Sequence, residues 1–205
     1  KTMIKIEGGL KENSTPHDII HRFEKIPTSI FRNEHEGATY VVEKIIKRIK
    51  EYEQSNVMND EGDVAEPFVL GLTTGHTPLG VYRELVKRYH NGEVSFRNVE
   101  VFSLDEFYPI RRTEQQSRNF RIHEEFLEYV NVRPENTFIP DPSVPVEKVS
   151  QYCRDYEAKI AEMGGLDLML LGMGSKGQIG FNEAGSYSNS KTRMVALSNA
   201  SIKEE

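Results

Sequence analysis

The sequence predicts an α/β fold in which helices cover both faces of a mostly parallel, open sheet. Short apolar runs of strand length alternate along the chain with longer segments whose apolar residues recur at helical spacing. Three of the strand-like runs lead directly into polar or glycine-rich segments, as strands do at the ligand-binding edge of such sheets. The length of 205 residues is typical of one domain.

The first helix and the first strand are the clearest elements of this pattern. Apolar side chains recur with helical period over residues 38–54, and residues 68–72 form a short apolar run that is typical of a buried strand. A second helix follows, with Pro78 near its first turn, where the missing N–H is not needed. Residues 1–37 show little periodicity, so we expect an N-terminal arm ahead of an α/β domain that spans residues 38–205.

The alternation repeats through the rest of the chain. Apolar periodicity predicts two more helices, over residues 117–130 and 146–163. Strand-like runs are found at residues 99–104, 137–140, 166–171 and 193–197. Because helices separate these strands, most of the strands are expected to run parallel to one another.

The composition argues against several broad classes of function. A formal net charge of −6 leaves no overall positive field for binding nucleic acid. No apolar run reaches the roughly 18 residues that would span a membrane, and no signal peptide is visible. The single cysteine, Cys153, lies among helix-patterned residues and offers no metal-ligand spacing. We therefore expect a cytoplasmic protein that binds neither nucleic acid nor a membrane.

The first polar segment, residues 73–77, is rich in hydroxyl groups. Backbone N–H groups around Gly75 can hold an anion at the N-terminus of the following helix. Neighbouring hydroxyls, on Thr73, Thr74 and Thr77, can donate to the same anion. Alternatively, a hydroxyl-rich turn simply caps the helix. His76 either contacts a substrate or faces solvent.

The second polar segment begins with Asp105 and Glu106, directly after the apolar run at residues 99–104. An acid at the carboxyl end of such a strand can act as a general base toward a bound substrate. Alternatively, one of these two acids caps a turn or pairs with Arg111 or Arg112.

The third polar segment, residues 172–183, contains a Gly-x-Gly-x-x-Gly run and closes on Asn182 and Glu183. Glycines let backbone N–H groups approach a ligand closely, so such a loop favours ligand binding. The run imitates the fingerprint of dinucleotide-binding proteins. Phe181 and its neighbours follow it where that fingerprint needs a long helix, so a nicotinamide site is not expected.

Taken together, these segments resemble the glucosamine-6-phosphate deaminase/isomerase family, and most of all its longer bacterial members. The resemblance implies a Rossmann-like fold of the sugar-phosphate isomerase/deaminase type. It covers roughly residues 38–197 and rests on LGLTTGHTPLGVYREL (70–85), VSFRNVEVFSLDEFYP (94–109), the Pro140-Asp141-Pro142 loop and LLGMGSKGQIGFNEAGS (170–186).

This resemblance implies conversion of glucosamine 6-phosphate to fructose 6-phosphate and ammonia, with no metal or organic cofactor. It assigns proton transfer between C1 and C2 of the sugar to Asp105. It assigns ring opening to three positions that are occupied here by Lys176, Gln178 and Glu183. It implies contacts to the phosphorylated amino sugar from Thr73, Thr74, Gly75, His76, Thr77, Glu106, Gly174, Gly177 and Asn182.

The chain departs from the family pattern in this ring-opening loop. Lys176 stands where the family has an aspartate, and Gln178 where it has a histidine that moves protons. A glutamine cannot exchange protons near neutral pH. General acid–base catalysis contributes about 10²–10⁴-fold to a rate, so we expect impaired turnover.

Three functions stay open on the sequence. The first is an isomerase/deaminase with an altered loop. The second is a catalytically inactive homologue with a sugar-phosphate-binding or regulatory role. The third is a related sugar-phosphate lactonase, which also relies on a loop histidine and is therefore disfavoured by Gln178. The resemblance also favours a homo-oligomer, because members of this family commonly form one. We also expect the family's last portion, with further basic phosphate-binding residues, to be missing from this chain.

Overall fold

The computed structural model describes residues 27–56, 59, 62–63 and 66–204, so residues 1–26 of the predicted arm lie outside the described residues. The first helix, α1 (Glu34–Ser55), begins within the predicted arm rather than at residue 38. Asn33 sets this start, because its side chain accepts a hydrogen bond from the Glu36 backbone N–H at 2.9 Å.

The described part of the chain alternates helices and strands in the predicted order. The further helices are α2 (His76–His90), α3 (Arg118–Glu125), α4 (Val149–Glu162) and α5 (Asn199–Glu204). The strands are β1 (Phe68–Leu72), β2 (Val99–Ser103), β3 (Thr137–Phe138) and β4 (Leu168–Met169). Single-turn 3₁₀ helices lie at Leu127–Tyr129, Pro134–Asn136 and Val146–Lys148.

These strands form one parallel sheet in the order β3-β2-β1-β4. β1 and β2 pair along their whole length, from Phe68 opposite Val99 to Leu72 opposite Ser103. Because the strands are parallel, their carboxyl ends share one edge of the sheet. The predicted fold class is confirmed.

Helices cover both faces of the sheet. On one face, α1, α2 and α3 bury their apolar side chains against β1 and β2. On the other face, Tyr156 of α4 packs with Val69 and Phe102. The first of these cores is the larger, and its fully buried members include Val42, Ile45, Leu70, Leu72, Tyr82, Leu85, Phe96, Val99, Val101, Ile122 and Phe126.

The helix predicted over residues 117–130 is interrupted. α3 ends at Glu125, because Phe126 leaves helical geometry with φ of −148° and ψ of −60°. This break lets the Phe126 ring pack against Tyr82 and Phe96, with centroid separations of 5.3 Å to each. Burial of an aromatic side chain therefore overrides the helical periodicity at this point.

The outer strands also differ from their predictions. Strands predicted at residues 137–140 and 166–171 are reduced to two residues each, and within the described part of the chain each pairs with one neighbouring strand. The prediction of a strand at residues 193–197 is wrong. This segment is irregular, and Met194 and Val195 are exposed. In the described ranges, no helix is both long enough and apolar enough to cross a membrane.

Candidate active site

The three polar segments leave the sheet at its carboxyl edge and approach one another there. The Leu104 N–H donates to the Leu72 carbonyl at 2.9 Å, so the segments after β1 and β2 leave the sheet side by side. The glycine-rich segment lies against the second of them. A Cβ built on Gly180 would stand 2.9 Å from Asp105 Oδ2.

A cleft of about 930 Å³ opens beside these strand ends. Of the predicted site residues, Asp105, Glu106 and Asn182 lie in its wall, together with Phe107 and Phe181. The other predicted site residues all fall in the described part of the chain but outside this wall. The structure thus brings the predicted proton-transfer acid and the end of the glycine-rich loop into one cleft.

The first polar segment forms the N-terminus of α2, and its N-cap is Gly75. Gly75 has a φ of 112°, which glycine adopts readily, and it offers no side chain to the first-turn N–H groups. Thr73 is buried, Thr74 is half-buried, and His76 and Thr77 are exposed. Since the N-cap is a glycine, a threonine does not cap this helix, and the anion site stays a prediction.

Asp105 forms an ion pair with an arginine. Its side chain is only 13% exposed, and its Oδ1 lies 3.4 Å from Nε of Arg118, which is 5% exposed. The Arg118 guanidinium carbon also lies 4.6 Å from the centroid of the Phe107 ring and 5.1 Å from that of Phe181. Arg112, one of the two partners considered from the sequence, forms its ion pair with a different acid.

Glu106 caps α3. Its carboxylate accepts hydrogen bonds from the Ser117 hydroxyl at 2.8 Å and from the backbone N–H groups of Arg118 at 2.8 Å and Asn119 at 3.0 Å. A negative charge is favoured at this end of a helix, where the first N–H groups have no partner inside the helix. The capping alternative therefore describes Glu106, and its contact with a substrate stays a prediction.

The glycine-rich loop closes on itself. The Gly174 N–H donates to the Gln178 carbonyl at 2.8 Å, and the Gly177 N–H donates to the Gly174 carbonyl at 3.0 Å. The Gln178 side chain folds back over Gly174, where an added Cβ would come within 2.1 Å of Gln178 Nε2. Its Oε1 accepts a hydrogen bond from the Lys176 backbone N–H at 3.0 Å. The Gln178 amide is therefore engaged within its own loop.

Glu183 ties the end of this loop to the start of α5. It accepts hydrogen bonds from the Ser198 backbone N–H at 3.2 Å, from the Ser198 hydroxyl at 2.9 Å and from the Ser201 hydroxyl. Bonds from Ser201 and Ser198 hold the pKa of Glu183 below its usual value, and the charge of Lys176 acts in the same direction. The adjacent Asn182 is exposed, and its side chain donates to a carbonyl within the loop at 3.3 Å.

Arg118, Ser198 and Ser201 were not predicted from the sequence. Their contacts join segments that are distant along the chain, so no local periodicity marks them. One signal does exist for Arg118, since it directly follows the helix cap Ser117. A positive charge is disfavoured in the first turn of a helix, so a cation there needs an acidic or aromatic partner.

A helix N-terminus, a largely buried acid and a glycine-rich loop all lie at the carboxyl edge of an open parallel sheet. Together these features are typical of α/β proteins that bind small anionic ligands at their strand ends. The chain belongs to the family described as glucosamine-6-phosphate isomerases/6-phosphogluconolactonase, whose model matches residues 32–203. The family indicated by the sequence motifs is confirmed.

Named relatives agree with this family. A putative glucosamine-6-phosphate deaminase-like protein of Bacteroides thetaiotaomicron is 37% identical over 193 residues, which cover 94% of this chain and 28% of the relative. A glucosamine-6-phosphate deaminase of Halothermothrix orenii is 43% identical over 134 residues, which cover 65% of this chain and 55% of the relative. The chain thus spans about half or less of the length of these relatives.

Solved structures show the same fold. A monomeric glucosamine-6-phosphate deaminase superposes with a TM-score of 0.74 at 29% identity, over 85% of this chain and 66% of the other. The 6-phosphogluconolactonase of Trypanosoma brucei superposes with a TM-score of 0.60 at 20% identity, over 77% of this chain and 63% of the other. At this identity the lactonase shows a shared fold alone.

Proposed function

We propose that this chain forms the sugar-phosphate site of an isomerase/deaminase that converts glucosamine 6-phosphate to fructose 6-phosphate and ammonia, with impaired turnover. The observation that supports this most is the placement of Asp105: it lies at the end of β2, in the wall of the cleft and against the glycine-rich loop. The names of the relatives at 37% and 43% identity support the same substrate class.

The N-terminus of α2 would bind the phosphate of the sugar. Its glycine N-cap leaves the first-turn N–H groups without a side-chain acceptor from the N-cap position, and no acidic residue lies in that turn to repel an anion. The positive end of the helix dipole favours a phosphate at this point. Thr74 and Thr77 would add hydroxyl donors.

Asp105 would then carry a proton between C1 and C2 of the open-chain sugar. This role needs a carboxylate that is ionised, close to the substrate and held in one orientation. The cleft supplies proximity, and the Arg118 contact supplies a partner for the charge. The end of β2 is a rigid support, because β2 pairs with β1 along its whole length.

Ring opening is the step that this loop would perform poorly. Gln178 cannot exchange protons near neutral pH, and its amide is already engaged with Gly174 and the Lys176 N–H. Without a histidine at position 178, the ring would open without a proton shuttle from the loop. The missing acid–base contribution is worth about 10²–10⁴-fold in rate.

A second candidate function is sugar-phosphate binding without turnover. The same Gln178 geometry favours it, since the loop offers a closed hydrogen-bonded turn in place of a proton shuttle. In both candidates the phosphorylated amino sugar is the partner. A cytoplasmic location and a homo-oligomeric state are part of the proposal, and the mass in solution tests the latter.

The decisive experiment measures the release of ammonia and fructose 6-phosphate from glucosamine 6-phosphate, with binding measured separately by calorimetry. The Lys176→Asp/Gln178→His double variant restores the family residues and is expected to raise turnover by about 10²-fold or more. A matched control is Lys148→Asp/Gln151→His, which makes the same exchanges at exposed positions around the start of α4. It should leave turnover unchanged.

Each outcome decides between the candidates. If the native chain turns over as fast as the Halothermothrix orenii relative assayed beside it, the prediction of impaired turnover is wrong. If it binds the sugar phosphate but releases no product, and the double variant stays inactive as well, the second candidate replaces the first. If calorimetry detects no binding of glucosamine 6-phosphate, both candidates are wrong.

A further inference from the structure

Arg118 carries a buried positive charge in an unfavourable place. It is the first residue of α3, and its side chain is only 5% exposed. Burying a charge is costly unless it is paired, and the N-terminus of a helix is itself positive. A neutral side chain would avoid both costs, so the contacts of the guanidinium need an explanation.

Two aromatic rings, which contact each other, both contact this guanidinium, and they come from different segments. Phe107 lies just after Asp105, and Phe181 lies in the glycine-rich loop just before Glu183. The two ring centroids are 4.9 Å apart, and the guanidinium carbon is 4.6 Å from one and 5.1 Å from the other. A planar guanidinium attracts ring faces in this way better than an ammonium does. Arg118 therefore links the loop to the end of β2.

The same guanidinium reaches the carboxylate of Asp105. Arg118 Nε lies 3.4 Å from Asp105 Oδ1. The other oxygen, Oδ2, faces Gly180 of the glycine-rich loop so closely that an added Cβ would stand 2.9 Å from it. The carboxylate is thus enclosed by Arg118 on one side and by the loop on the other.

We propose that Arg118 is a positioning residue that couples the order of the glycine-rich loop to the orientation of Asp105. It acts through Asp105 and Phe181 rather than on the sugar. Its effect on catalysis rests on the proposed function, whereas its effect on the loop can be measured without any substrate. Loss of Arg118 would release the loop and the acid together.

The first test is hydrogen exchange of the full chain without ligand. In Arg118→Met, amides of residues 174–183 are expected to exchange roughly tenfold faster, because the cation–π contacts are lost, while β1 and β2 keep their protection. Arg118→Lys should give an intermediate rate. The control is Arg121→Met, which removes an arginine of the same helix that pairs with Glu125 at 3.0 Å. It should leave the loop unchanged.

A second variant covers the case in which Arg118→Met does not fold. Phe181→Leu keeps Arg118 and removes one of the two rings, and it is expected to loosen residues 174–183 in the same way. Unchanged exchange of the loop in a folded Arg118→Met, or in Phe181→Leu, would overturn the proposal.

The second test is the pH profile of the reaction. Removing a neighbouring positive charge disfavours an ionised carboxylate. The rising limb of the pH–rate profile should therefore move to higher pH in Arg118→Met. It should stay in place in Arg118→Lys and Arg121→Met. Among the described residues, Tyr156 of α4 also interacts electrostatically with Asp105. Burial raises the pKa of Tyr156, so it stays neutral through this range.

The two tests separate this inference from the proposed function. A purely structural role for Arg118 would lower the rate at every pH without moving the limb, and that result contradicts the positioning role. If neither the native chain nor the Lys176→Asp/Gln178→His variant turns over, the proposed isomerase/deaminase activity fails while hydrogen exchange still decides the coupling. If the native chain turns over and loop exchange does not respond to Arg118, the inference alone fails.

Discussion

Two regions of this molecule are held together in different ways. In residues 34–103, all five residues of β1 are buried, and α1 and α2 cover them with fully buried apolar side chains. In residues 166–198, β4 has only two residues, and Met173 and Tyr187 are 66% and 79% exposed. Apart from the short pairing of β4 with β1, the second region depends on hydrogen bonds within its own turns and on a few contacts to Asp105, Arg118 and α4. Substitutions should therefore change stability in the first region and chemistry in the second.

Removing a large aromatic side chain is expected to show this contrast most strongly. Phe96 is fully buried and packs edge-to-face against Phe126, with centroids 5.3 Å apart. Phe96→Ala should lower the free energy of unfolding by about 3–5 kcal/mol, because it removes apolar burial and leaves a cavity. Tyr187→Ala, at an exposed position of the second region, should cost less than about 0.5 kcal/mol. Denaturant titration measures both, and equal losses would contradict the contrast.

A smaller effect is expected where the second region meets Asp105. Gly180 has a φ of 53°, and a Cβ there would stand 2.7 Å from Leu104 Cδ2 and 2.9 Å from Asp105 Oδ2. Gly180→Ala therefore adds a backbone strain of about 1–3 kcal/mol and pushes the loop away from the acid. We expect at least a tenfold loss of glucosamine 6-phosphate binding or turnover.

The control for this prediction separates strain from contact. Gly185 has a φ of 96°, but among the described residues other than its chain neighbours, no atom lies within 4 Å of the position that an added Cβ would take. Gly185→Ala carries at least as much conformational strain, because its φ lies further from the left-handed region open to other residues, but it adds no clash. If both variants lose binding equally, the close approach of Gly180 to Asp105 is not what supports the site.

The smallest expected effect concerns the attachment of residues 191–192 to α4. Glu157 accepts hydrogen bonds from the Thr192 N–H at 2.8 Å and from its hydroxyl at 2.7 Å. Burial raises the pKa of Glu157, but these bonds and the charge of Lys191 outweigh burial and hold this pKa below its usual value. The ionised form thus stabilises the fold above the unfolded pKa, and this contribution is lost as pH falls through the lower, folded pKa.

Glu157→Gln should remove this pH dependence. The variant is expected to be less stable than the native chain by less than about 1 kcal/mol at pH 7, with the difference vanishing at acid pH. Denaturant titrations across the acid range measure it, beside the exposed-site control Glu147→Gln. An identical pH dependence in the native chain and in Glu157→Gln would show that the contact contributes nothing.

Much of the first region was predictable from local pattern. The apolar period of α1 places Val42, Ile45 and Ile49 on one face, and all three are buried as that period predicts. The five-residue apolar run of β1 is buried throughout, as expected for a central parallel strand. These elements follow from residues close together in the chain, so periodicity alone locates them.

The second region was less predictable, because its residues find their partners far along the chain. The apolar run at residues 193–197 looks like a strand, yet it has no neighbouring strand in the described part of the protein. Glu106 was considered both as a substrate contact and as a cap, and only the folded chain shows its carboxylate on the first turn of α3. Phe126 ends a helix that its own periodicity would continue.

The sequence by itself determined the fold class, the family and the residues Lys176 and Gln178 of the glycine-rich loop. It could do so because alternating apolar runs, ordered motifs and the identities of Lys176 and Gln178 are all local properties of the chain. Tertiary structure alone decided which groups meet Asp105. Arg118, Phe181 and Gly180 reach that carboxylate through packing, since the positions of side chains brought together by folding depend on the whole core and not on their neighbours in sequence.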